Sequence, residues 1–458
     1  MSPHNIHQLE SLGKVHFIGI GGVGMSAVAR IMVARGVPVS GSDAKDLPVM
    51  ADLAAAGARI AVGYSAGNLA DAQTVVAGSA IREDNPELAA AREAGLPVLH
   101  RSQALAATMG GDTVVTVAGT HGKSTTTSMV TVLLREAGLD PSFAVGANIP
   151  ALGVNAANGT SGIFIAEADE SDGSFLNYRP RIAVVTNVEP DHLDYYGTAE
   201  AVYESFDRFT ALLPADGLLV ACADDAGALA LAERTRARGN TRVVLYGTGE
   251  AADIRLDDGG PGQVAISTGG ARYGLSLQVP GRHNALNAAA AFAVALELGV
   301  EADAAATGLA RFAGASRRFE LKGEAGGVRV FDDYAHHPTE VRAALTAARS
   351  VAGGHRVHVL FQPHLFSRTR EFAADFADAL NLADTALVLD IYPAREDPIP
   401  GVTSQLIADH LTGGGRLVSA ADAVDTLAGV AADGDVVLTV GAGDVTAYGP
   451  RIVEALRA

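Results

Sequence analysis

The fold of this chain is decided by one stretch, Val114-Val115-Thr116-Val117-Ala118-Gly119-Thr120-His121-Gly122-Lys123-Ser124-Thr125. An apolar run breaks into a glycine turn, and Lys-Ser-Thr then opens a helix. In such a turn the backbone N–H groups and the positive end of the helix face phosphate groups. Lys123 can neutralise the outer phosphates, and the Ser124 hydroxyl can bind Mg²⁺. The pattern predicts that ATP or GTP is bound by Gly119, Thr120, His121, Gly122, Lys123, Ser124 and Thr125.

This phosphate loop is a shortened variant, because Val117 stands where the full eight-residue pattern has a glycine. The chain contains only Lys14, Lys45, Lys123 and Lys322 as lysines. Between positions 45 and 322, therefore, no lysine except Lys123 can serve a phosphate. The alternative is a chance glycine turn beside a surface lysine. The strand before the turn and the helix after it favour the phosphate loop.

Composition limits the class of protein. A chain of 458 residues is too long for one core and predicts about three domains, which we place at 1–108, 109–319 and 320–458. Short Val/Ile-rich runs alternate with longer amphipathic ones, which is typical of an α/β fold with parallel sheets covered by helices.

Charge and cysteine content exclude several partners and compartments. The net charge of −18 argues against nucleic acid or an anionic membrane as a partner. The single cysteine excludes an internal disulfide, and we find no signal-peptide pattern and no apolar run near the ~20 residues of a membrane span. We expect a cytoplasmic protein without membrane insertion. The sequence does not decide between a monomer and a dimer.

The first segment contains a second glycine turn, Gly19-Ile20-Gly21-Gly22-Val23-Gly24, between a predicted strand and a predicted helix. A second predicted strand, 37–42, ends at Asp43. Glycines let the backbone approach a diphosphate, and an acidic side chain at that place can bond a ribose hydroxyl. The pattern predicts a nucleotide diphosphate site. The alternative is that the glycines serve only close helix packing.

Polar clusters follow two predicted strands of the central segment, 162–165 and 182–186. Ligands of doubly wound sheets lie beyond the carboxyl ends of the strands, so both clusters should face the phosphate loop. We expect Glu167 and His192 to reach metal ions beside Ser124. The alternative is that these are ordinary solvated loop residues.

The central segment ends with Gly281–Asn287, which leads into an alanine-rich helix predicted at 288–298. Asn284 and Asn287 are three residues apart, so their amides share a face and can bond a nucleobase edge. Helix capping is the alternative. Arg317 and Arg318 then offer a basic pair for phosphate. The last segment has predicted strands at 328–331, 357–361, 385–389 and 436–440, with polar residues after three of them, where a third ligand can bind.

Together these motifs resemble the Mur ligase family, whose members use ATP to form amide bonds in bacterial cell-wall synthesis. The similarity covers essentially the whole chain. Several relatives have a carbamylated lysine shortly after the metal histidine, and its absence here resembles the alanine-adding branch. The matching motifs, in chain order, are Gly19–Met25, Gly119–Thr125, Glu167–Asp172, Glu189–His192, Gly281–Asn287, Arg317–Glu320 and Asp333–Pro338.

The resemblance implies a fold and a reaction. The fold would comprise a Rossmann-like N-terminal domain for a UDP-sugar, a central P-loop ATPase domain with a mainly parallel sheet, and a Rossmann-like C-terminal domain for an amino acid. The reaction would use ATP and Mg²⁺ to join L-alanine to the lactyl carboxylate of UDP-N-acetylmuramate through an acyl phosphate, releasing ADP and phosphate for peptidoglycan synthesis.

The resemblance also implies roles for individual residues. The catalytic residues would be Lys123, His192 and Arg318. Besides the phosphate loop, the nucleotide would contact Asn284, Asn287, Arg318 and Asp333. The metal ligands would be Ser124, Glu167 and His192. The sugar nucleotide and amino acid would contact Gly21, Gly22, Val23, Asp43, Ser79, His336 and Arg368. Two positions depart from the family pattern: Tyr64 replaces a histidine, and Leu365 replaces an arginine, so Arg368 would do more of the amino acid binding.

Three other functions compete with this one. A recycling ligase of the same family would attach a preformed peptide to the same sugar nucleotide, and would need a roomier C-terminal pocket. An NAD-dependent oxidoreductase would explain the first glycine turn but not the loop at Lys123. A non-catalytic nucleotide-binding regulator would not need Lys123, Glu167 and His192 together.

Overall fold

The computed structural model describes residues 8–258, 263–394, 396–413 and 415–457. The strands are β1 Val15–Ile18, β2 Val39–Asp43, β3 Arg59–Val62, β4 Thr74–Ala77, β5 Val98–His100, β6 Thr113–Ala118, β7 Ser142–Ile149, β8 Val154–Ala157, β9 Ile163–Glu167, β10 Ile182–Val185, β11 Leu218–Cys222, β12 Arg242–Gly247, β13 Ile254–Asp258, β14 Val264–Thr268, β15 Ala271–Leu275, β16 Glu320–Ala325, β17 Val328–Asp333, β18 Val357–Phe361, β19 Thr385–Val388, β20 Arg416–Leu417 and β21 Val436–Val440.

The α-helices are α1 Val23–Ala34, α2 Pro48–Ala55, α3 Pro86–Glu93, α4 Arg101–Thr108, α5 Lys123–Glu136, α6 Leu193–Tyr196, α7 Ala199–Thr210, α8 Ala226–Arg238, α9 Arg282–Glu297, α10 Ala302–Leu309, α11 Pro338–Ala352, α12 Phe366–Leu380, α13 Gln405–Ala408, α14 Ala423–Val430 and α15 Tyr448–Ala455. Among the described residues, none of these helices is long and apolar enough to cross a membrane.

The chain divides into two compact units. One unit comprises Met1–Leu277 with Leu286–Phe312, and the other comprises Gln278–Ala285 with Ala313–Ala458. Within the described ranges, the first unit contains two sheets and the second unit contains one. The limits of the three predicted domains, 108/109 and 319/320, stay a prediction.

The first sheet is entirely parallel, with strand order β3-β2-β1-β4-β5. Its central strand β1 is completely buried, as expected for a strand covered by helices on both faces. The chain order reverses between β1 and β4, and a crevice forms at such a switch point beyond the carboxyl ends of the strands. This arrangement confirms the Rossmann-like prediction and positions the first glycine turn at the crevice.

In the part of the chain that the structure describes, the second sheet has ten strands in the order β15-β14-β13-β12-β11-β10-β6-β9-β7-β8. The strands from β13 through β7 pair in parallel, whereas the hairpin β7–β8 and the meander β13–β15 are antiparallel. The prediction of a mainly parallel sheet is therefore confirmed. Strand β6, which leads into the phosphate loop, lies between β9 and β10. The two polar clusters that follow β9 and β10 thus flank the loop.

The third sheet, in the second unit, has the order β16-β17-β21-β18-β19-β20. Its edge strand β16 pairs antiparallel with β17, and the other strands are parallel. The four central strands match the four predicted ones. Strands β16 and β20 were not predicted, because β16 contains a charge or glycine at most positions and β20 has only two residues.

The predicted helix at 288–298 is α9, which begins earlier, at Arg282. The prediction placed the start of the helix at the first residue of the alanine run, Ala288. That run is almost completely buried. Both Asn284 and Asn287 are therefore helical. Strands β3–β5, β7, β8 and β11–β15 were also absent from the prediction.

Candidate active site

The phosphate loop has the backbone conformation that its glycines allow. Gly122 has a φ of 83°, in the left-handed region, and is the N-cap of α5 without a side-chain cap. A Cβ atom at this position would lie 2.8 Å from Asn287 Oδ1. The backbone conformation therefore favours glycine at position 122, and any larger residue would also displace the Asn287 amide. The same contact brings Asn287, one of the predicted nucleotide residues, next to the loop.

The segment that follows β10 holds the phosphate loop in place. The His121 backbone N–H donates to Asn187 Oδ1 at 2.7 Å, and Asn187 Nδ2 donates to the His121 carbonyl at 3.1 Å. The Glu189 backbone N–H donates to Thr120 Oγ1 at 2.9 Å. Asn187 thus bonds both backbone groups of one loop residue. The sequence analysis gave Asn187 no role of its own.

We expect Asn187→Ala to raise the KM for ATP about tenfold to a hundredfold. The variant loses two hydrogen bonds to the loop backbone, and such losses cost about 1–3 kcal/mol. Steady-state kinetics with ATP varied would measure the effect. Asn240→Ala, in an exposed turn, is the matched control and should leave the KM unchanged. Equal KM values for the two variants would contradict the conclusion that Asn187 holds the phosphate loop in place.

Lys123 is buried and paired. Its ammonium group donates to Glu170 Oε1 at 2.9 Å, to the Gly119 carbonyl at 2.7 Å and to the Thr120 carbonyl at 3.1 Å. Its side chain is only 14% exposed and that of Glu170 only 2% exposed, which excludes the surface-lysine alternative. Burial lowers the pKa of Lys123, but the negative charges of Glu170 and its neighbours outweigh burial and raise it. The ammonium is therefore charged at neutral pH.

Glu170 is the main residue that the sequence analysis missed. Burial raises its pKa to about 7, against the opposing effect of Lys123. His192 Nε2 lies 3.8 Å from Glu170 Oε1, so Glu170 joins two residues predicted to be catalytic. His192 is the N-cap of α6 with a φ of 55°. The available signal was an acidic cluster in a chain with few lysines, but that signal does not indicate which carboxyl group is paired.

Ser124 and Glu167, predicted to share a metal, lie together. Ser124 Oγ donates to Glu167 Oε1 at 3.0 Å, and the Gly146 N–H donates to Glu167 Oε2 at 2.7 Å. A carboxylate and a hydroxyl are hard oxygen donors of the kind that Mg²⁺ prefers. The residues present therefore fit a magnesium ion bound near the phosphates. His192 is connected to this region through Glu170, whose Oε1 lies 3.8 Å from His192 Nε2.

The first glycine turn also has the predicted environment. The Gly21 N–H donates to Asp43 Oδ2 at 3.0 Å, so the last residue of β2 is bonded to the turn after β1. Gly22 is the N-cap of α1 without a side-chain cap, and Val23 is 55% exposed. Tyr64 lies nearby, and its pKa is raised by burial and then by the charge of Asp43. The turn thus presents backbone and an exposed apolar side chain at the crevice.

The remaining predicted nucleotide residues belong to the second unit. Arg318 Cζ lies 5.1 Å from the centre of the Tyr334 ring. Asp333 accepts hydrogen bonds from the Phe319 and Ala335 N–H groups, each at 2.8 Å. Asn284 Nδ2 donates to the Pro280 carbonyl at 2.6 Å, so its side chain bonds the segment before α9 and does not cap the helix by accepting from a backbone N–H. Their contact with a nucleotide stays a prediction.

The predicted amino acid residues follow neighbouring parts of the third sheet. His336 follows β17 and Arg368 follows β18, and both of these strands pair with β21. Both side chains therefore lie beyond the carboxyl ends of strands that flank β21. Arg368 is 7% exposed, and Leu365 is 5% exposed with a φ of 71°. The role of Arg368 in amino acid binding stays a prediction.

We expect a pH effect on stability from Asp333. Burial raises its pKa from 3.8 to about 6, against the opposing effect of Arg318. Since the folded pKa exceeds the unfolded one, a stabilising contribution that is complete below pH 3.8 is lost as the pH rises through about 6. Asp333→Asn cannot ionise and should not show this loss.

Unfolding midpoints measured against pH for the unaltered protein and Asp333→Asn would test this effect. The difference between the two curves should change between pH 3.8 and about 6. Asp216→Asn is the control, because Arg181 lowers the pKa of Asp216, so any pH effect of that carboxyl group on stability has the opposite sign. Parallel curves for the unaltered protein and Asp333→Asn would contradict the raised pKa.

The site and the three sheets define a nucleotide-dependent ligase class, and the comparisons agree. Three family models match: Mur ligase family, catalytic domain, over residues 14–113; Mur ligase middle domain over 117–295; and Mur ligase, glutamate ligase domain, over 317–443. The chain belongs to the Mur ligase family, as its motifs predicted.

Individual relatives show which members of the family this chain is similar to. The chain is 82% identical to the UDP-N-acetylmuramate--L-alanine ligase of Arthrobacter sp. (strain FB24), over 99% of this chain and 97% of the relative. Among solved structures it is similar to the UDP-N-acetylmuramate-alanine ligase of Thermotoga maritima, with 31% identity, a TM-score of 0.79, and coverage of 96% and 98%. The murein peptide ligase of Psychrobacter arcticus is 27% identical, with a TM-score of 0.72 and coverage of 97% and 99%.

Proposed function

We propose that this chain is an ATP-dependent ligase that joins L-alanine to the lactyl carboxylate of UDP-N-acetylmuramate in peptidoglycan synthesis. The observation that carries the proposal is the buried Lys123 ammonium over a glycine loop, beside Ser124 and Glu167. That arrangement suits the transfer of a phosphoryl group. An oxidoreductase that transfers hydride would not need it. The alanine ligase names of relatives at 50–82% identity support this choice of substrates.

The chemistry requires activation, because a free carboxylate does not react with an amine at neutral pH. A lactyl carboxylate oxygen attacks the γ-phosphorus of ATP, the bond to the β–γ bridging oxygen breaks, and ADP leaves. The alanine amine then attacks the acyl carbon, loses a proton, and phosphate departs with the carboxylate oxygen. Both steps develop negative charge on phosphoryl oxygens, which Lys123 and Arg318 would offset.

Magnesium would be held by Ser124 and Glu167, with His192 holding a second ion. A bound Mg²⁺ supplies positive charge against the phosphate oxygens. Glu167 is oriented for this role by the Gly146 N–H, which occupies one carboxylate oxygen. Glu170 holds the Lys123 ammonium at the loop before ATP arrives.

The other proposed contacts follow the three predicted domains, 1–108, 109–319 and 320–458. The sugar nucleotide would contact Gly21, Gly22, Val23, Asp43 and Ser79. The adenine would contact Asn284 and Asn287, with Asp333 and Arg318 near the nucleotide. The alanine would contact His336 and Arg368. The cytoplasmic location stays a prediction.

A phosphate-release assay tests this function. The purified chain would receive ATP, Mg²⁺ and UDP-N-acetylmuramate with each of L-alanine, L-serine, glycine and a cell-wall tripeptide. We expect phosphate release that requires the sugar nucleotide and is fastest with L-alanine. Faster release with the tripeptide would instead identify the recycling ligase, and release independent of UDP-N-acetylmuramate would exclude both ligases.

A further inference from the structure

A polar cluster lies beside the switch point of the first sheet. Ser79 follows β4, the strand next to β1, and is exposed at the carboxyl end of the sheet. His100 ends the neighbouring strand β5. These positions border the crevice in which a doubly wound sheet binds its ligand. Asp172, in the segment after β9 of the second sheet, contacts both residues.

The cluster is a continuous chain of hydrogen bonds. Asn177 Nδ2 lies 2.8 Å from Ser102 Oγ, and Ser102 Oγ lies 2.8 Å from His100 Nδ1. On the other side of the ring, His100 Nε2 lies 3.1 Å from Ser79 Oγ, and Ser79 Oγ lies 2.9 Å from Asp172 Oδ2. Both ends of this hydrogen-bond chain, Asn177 and Asp172, lie in the segment between β9 and β10, and its middle passes through His100 and Ser79 at the carboxyl ends of β5 and β4.

The direction of each bond is determined by its donors. The Ser102 backbone N–H donates to His100 Nδ1 at 3.3 Å, so Nδ1 is an acceptor. Burial lowers the pKa of His100, so the ring is neutral and Nε2 carries its proton. Nε2–H therefore donates to Ser79 Oγ, and the single Ser79 proton is donated to Asp172, whose carboxylate can only accept.

This direction limits what a ligand can do at Ser79. The hydroxyl has one proton, given to Asp172, and two lone pairs, of which one accepts from His100. The remaining lone pair can only accept, so it suits a hydroxyl or N–H donor of a ligand rather than a phosphate oxygen. Such a donor would extend the chain without breaking it, and hydrogen bonds in a chain strengthen one another.

The chain ends on the segment that contains the phosphate-site carboxylates. Asp172 also accepts from the Ser174 N–H at 3.0 Å through its other oxygen, so the segment is bonded at that residue. The same segment begins with Glu167, which bonds Ser124, and contains Glu170, which bonds Lys123. A ligand that orders Ser79 would thereby order the segment that the triphosphate also needs in place.

We propose that His100, Ser79 and Asp172 are positioning residues that couple the two ligand sites. A hydroxyl or N–H group of the sugar nucleotide donates to Ser79, and the hydrogen-bond chain transmits this contact to the segment containing Glu167 and Glu170, so that sugar nucleotide tightens ATP binding. The inference rests on the proposed function, because it takes UDP-N-acetylmuramate as the ligand of the crevice.

Binding of adenylyl imidodiphosphate with Mg²⁺, measured by calorimetry with and without saturating UDP-N-acetylmuramate, tests the coupling. In the unaltered protein the sugar nucleotide should lower the Kd at least about fivefold, the lower end of typical allosteric coupling. His100→Ala should reduce this ratio to about one. His100→Gln, which keeps an N–H group facing Ser79, should retain part of it. Asp172→Ala is the second uncoupled variant if His100→Ala does not fold.

Asn158→Ala is the matched control. Asn158 accepts from Arg35 Nε at 2.7 Å and so also connects the end of α1 to the second sheet. The other partner of Arg35 is Asp112, which precedes β6, so this connection lies at the opposite end of the strands from the phosphate loop. This variant should keep the unaltered ratio. A ratio near one in the unaltered protein, an undiminished ratio in His100→Ala, or a His100→Gln variant as uncoupled as His100→Ala would each overturn the proposal. Failure of the proposed function would instead appear as no alanine-dependent phosphate release from the unaltered protein.

Discussion

Lys123→Ala is expected to reduce ADP release by about a thousandfold. The lysine supplies the positive charge nearest to the phosphoryl group that is transferred, and removing one such stabilising group typically costs a factor of this size. The substitution also leaves Glu170 buried without its cation, and breaking a buried pair costs about 3–5 kcal/mol of stability. Activity and unfolding free energy should therefore both fall.

The two effects can be separated with a second variant. Lys123→Ala combined with Glu170→Gln removes both buried charges, so stability should largely return while ADP release stays low. Lys14→Ala is the matched lysine control, because Lys14 forms an exposed pair with Asp71, and exposed pairs contribute only about 0–1 kcal/mol. If the double variant recovered activity together with stability, Lys123 would be structural and its proposed role in catalysis would be wrong.

Glu167→Gln is expected to lower kcat by about a hundredfold to a thousandfold and to raise the Mg²⁺ concentration required for half-maximal activity. The amide keeps the size of the carboxyl group but removes the charge that would bind the cation. The amide oxygen can still accept from the Gly146 N–H, and the amide NH₂ can donate to Ser124 Oγ, so the fold should be retained. ADP release measured against Mg²⁺ concentration would show both effects.

The control for this variant is Glu136→Gln. Glu136 is the last residue of α5 and is exposed. It therefore tests the loss of one carboxylate at the end of the helix that is away from the phosphate loop. Its kcat and its magnesium dependence should equal those of the unaltered protein. An unchanged magnesium requirement in Glu167→Gln would mean that the cation is bound elsewhere.

The parallel strands that lead into polar or glycine motifs could be predicted, because they are buried on both faces and a motif marks where each one ends, whereas β3–β5, β11 and β12 are also parallel but were not predicted. Such strands appear as unbroken apolar runs, and the predicted strand before Gly119 matches β6 closely. The antiparallel strands β13–β15 are partly exposed and mix Arg255, Ser267 and Arg272 with apolar residues, so they lack that signal. Their pairing depends on the sheet edge that they extend.

The site could be predicted only as far as its motifs extend. Lys123, Ser124 and Glu167 follow strand ends, and the order of the strands brings them together. An acidic side chain is almost never buried unless it is paired. No local pattern shows which residue of the acidic cluster is buried, so the pairing of Lys123 with Glu170 could not be predicted. Ser79 and Asp172 are 93 residues apart in the sequence, so their hydrogen bond follows only from the packing of two sheets.

The central claim is that the carboxylate is activated as an acyl phosphate, and transfer of labelled oxygen tests it most directly. UDP-N-acetylmuramate with an ¹⁸O-labelled lactyl carboxylate would be incubated with ATP, Mg²⁺, L-alanine and the unaltered protein. The ³¹P NMR spectrum of the released phosphate would then be recorded. We predict one labelled oxygen in each phosphate released from a fully labelled carboxylate, because the oxygen that attacks phosphorus leaves with it. Unlabelled phosphate, released in step with amide formation, would contradict the account.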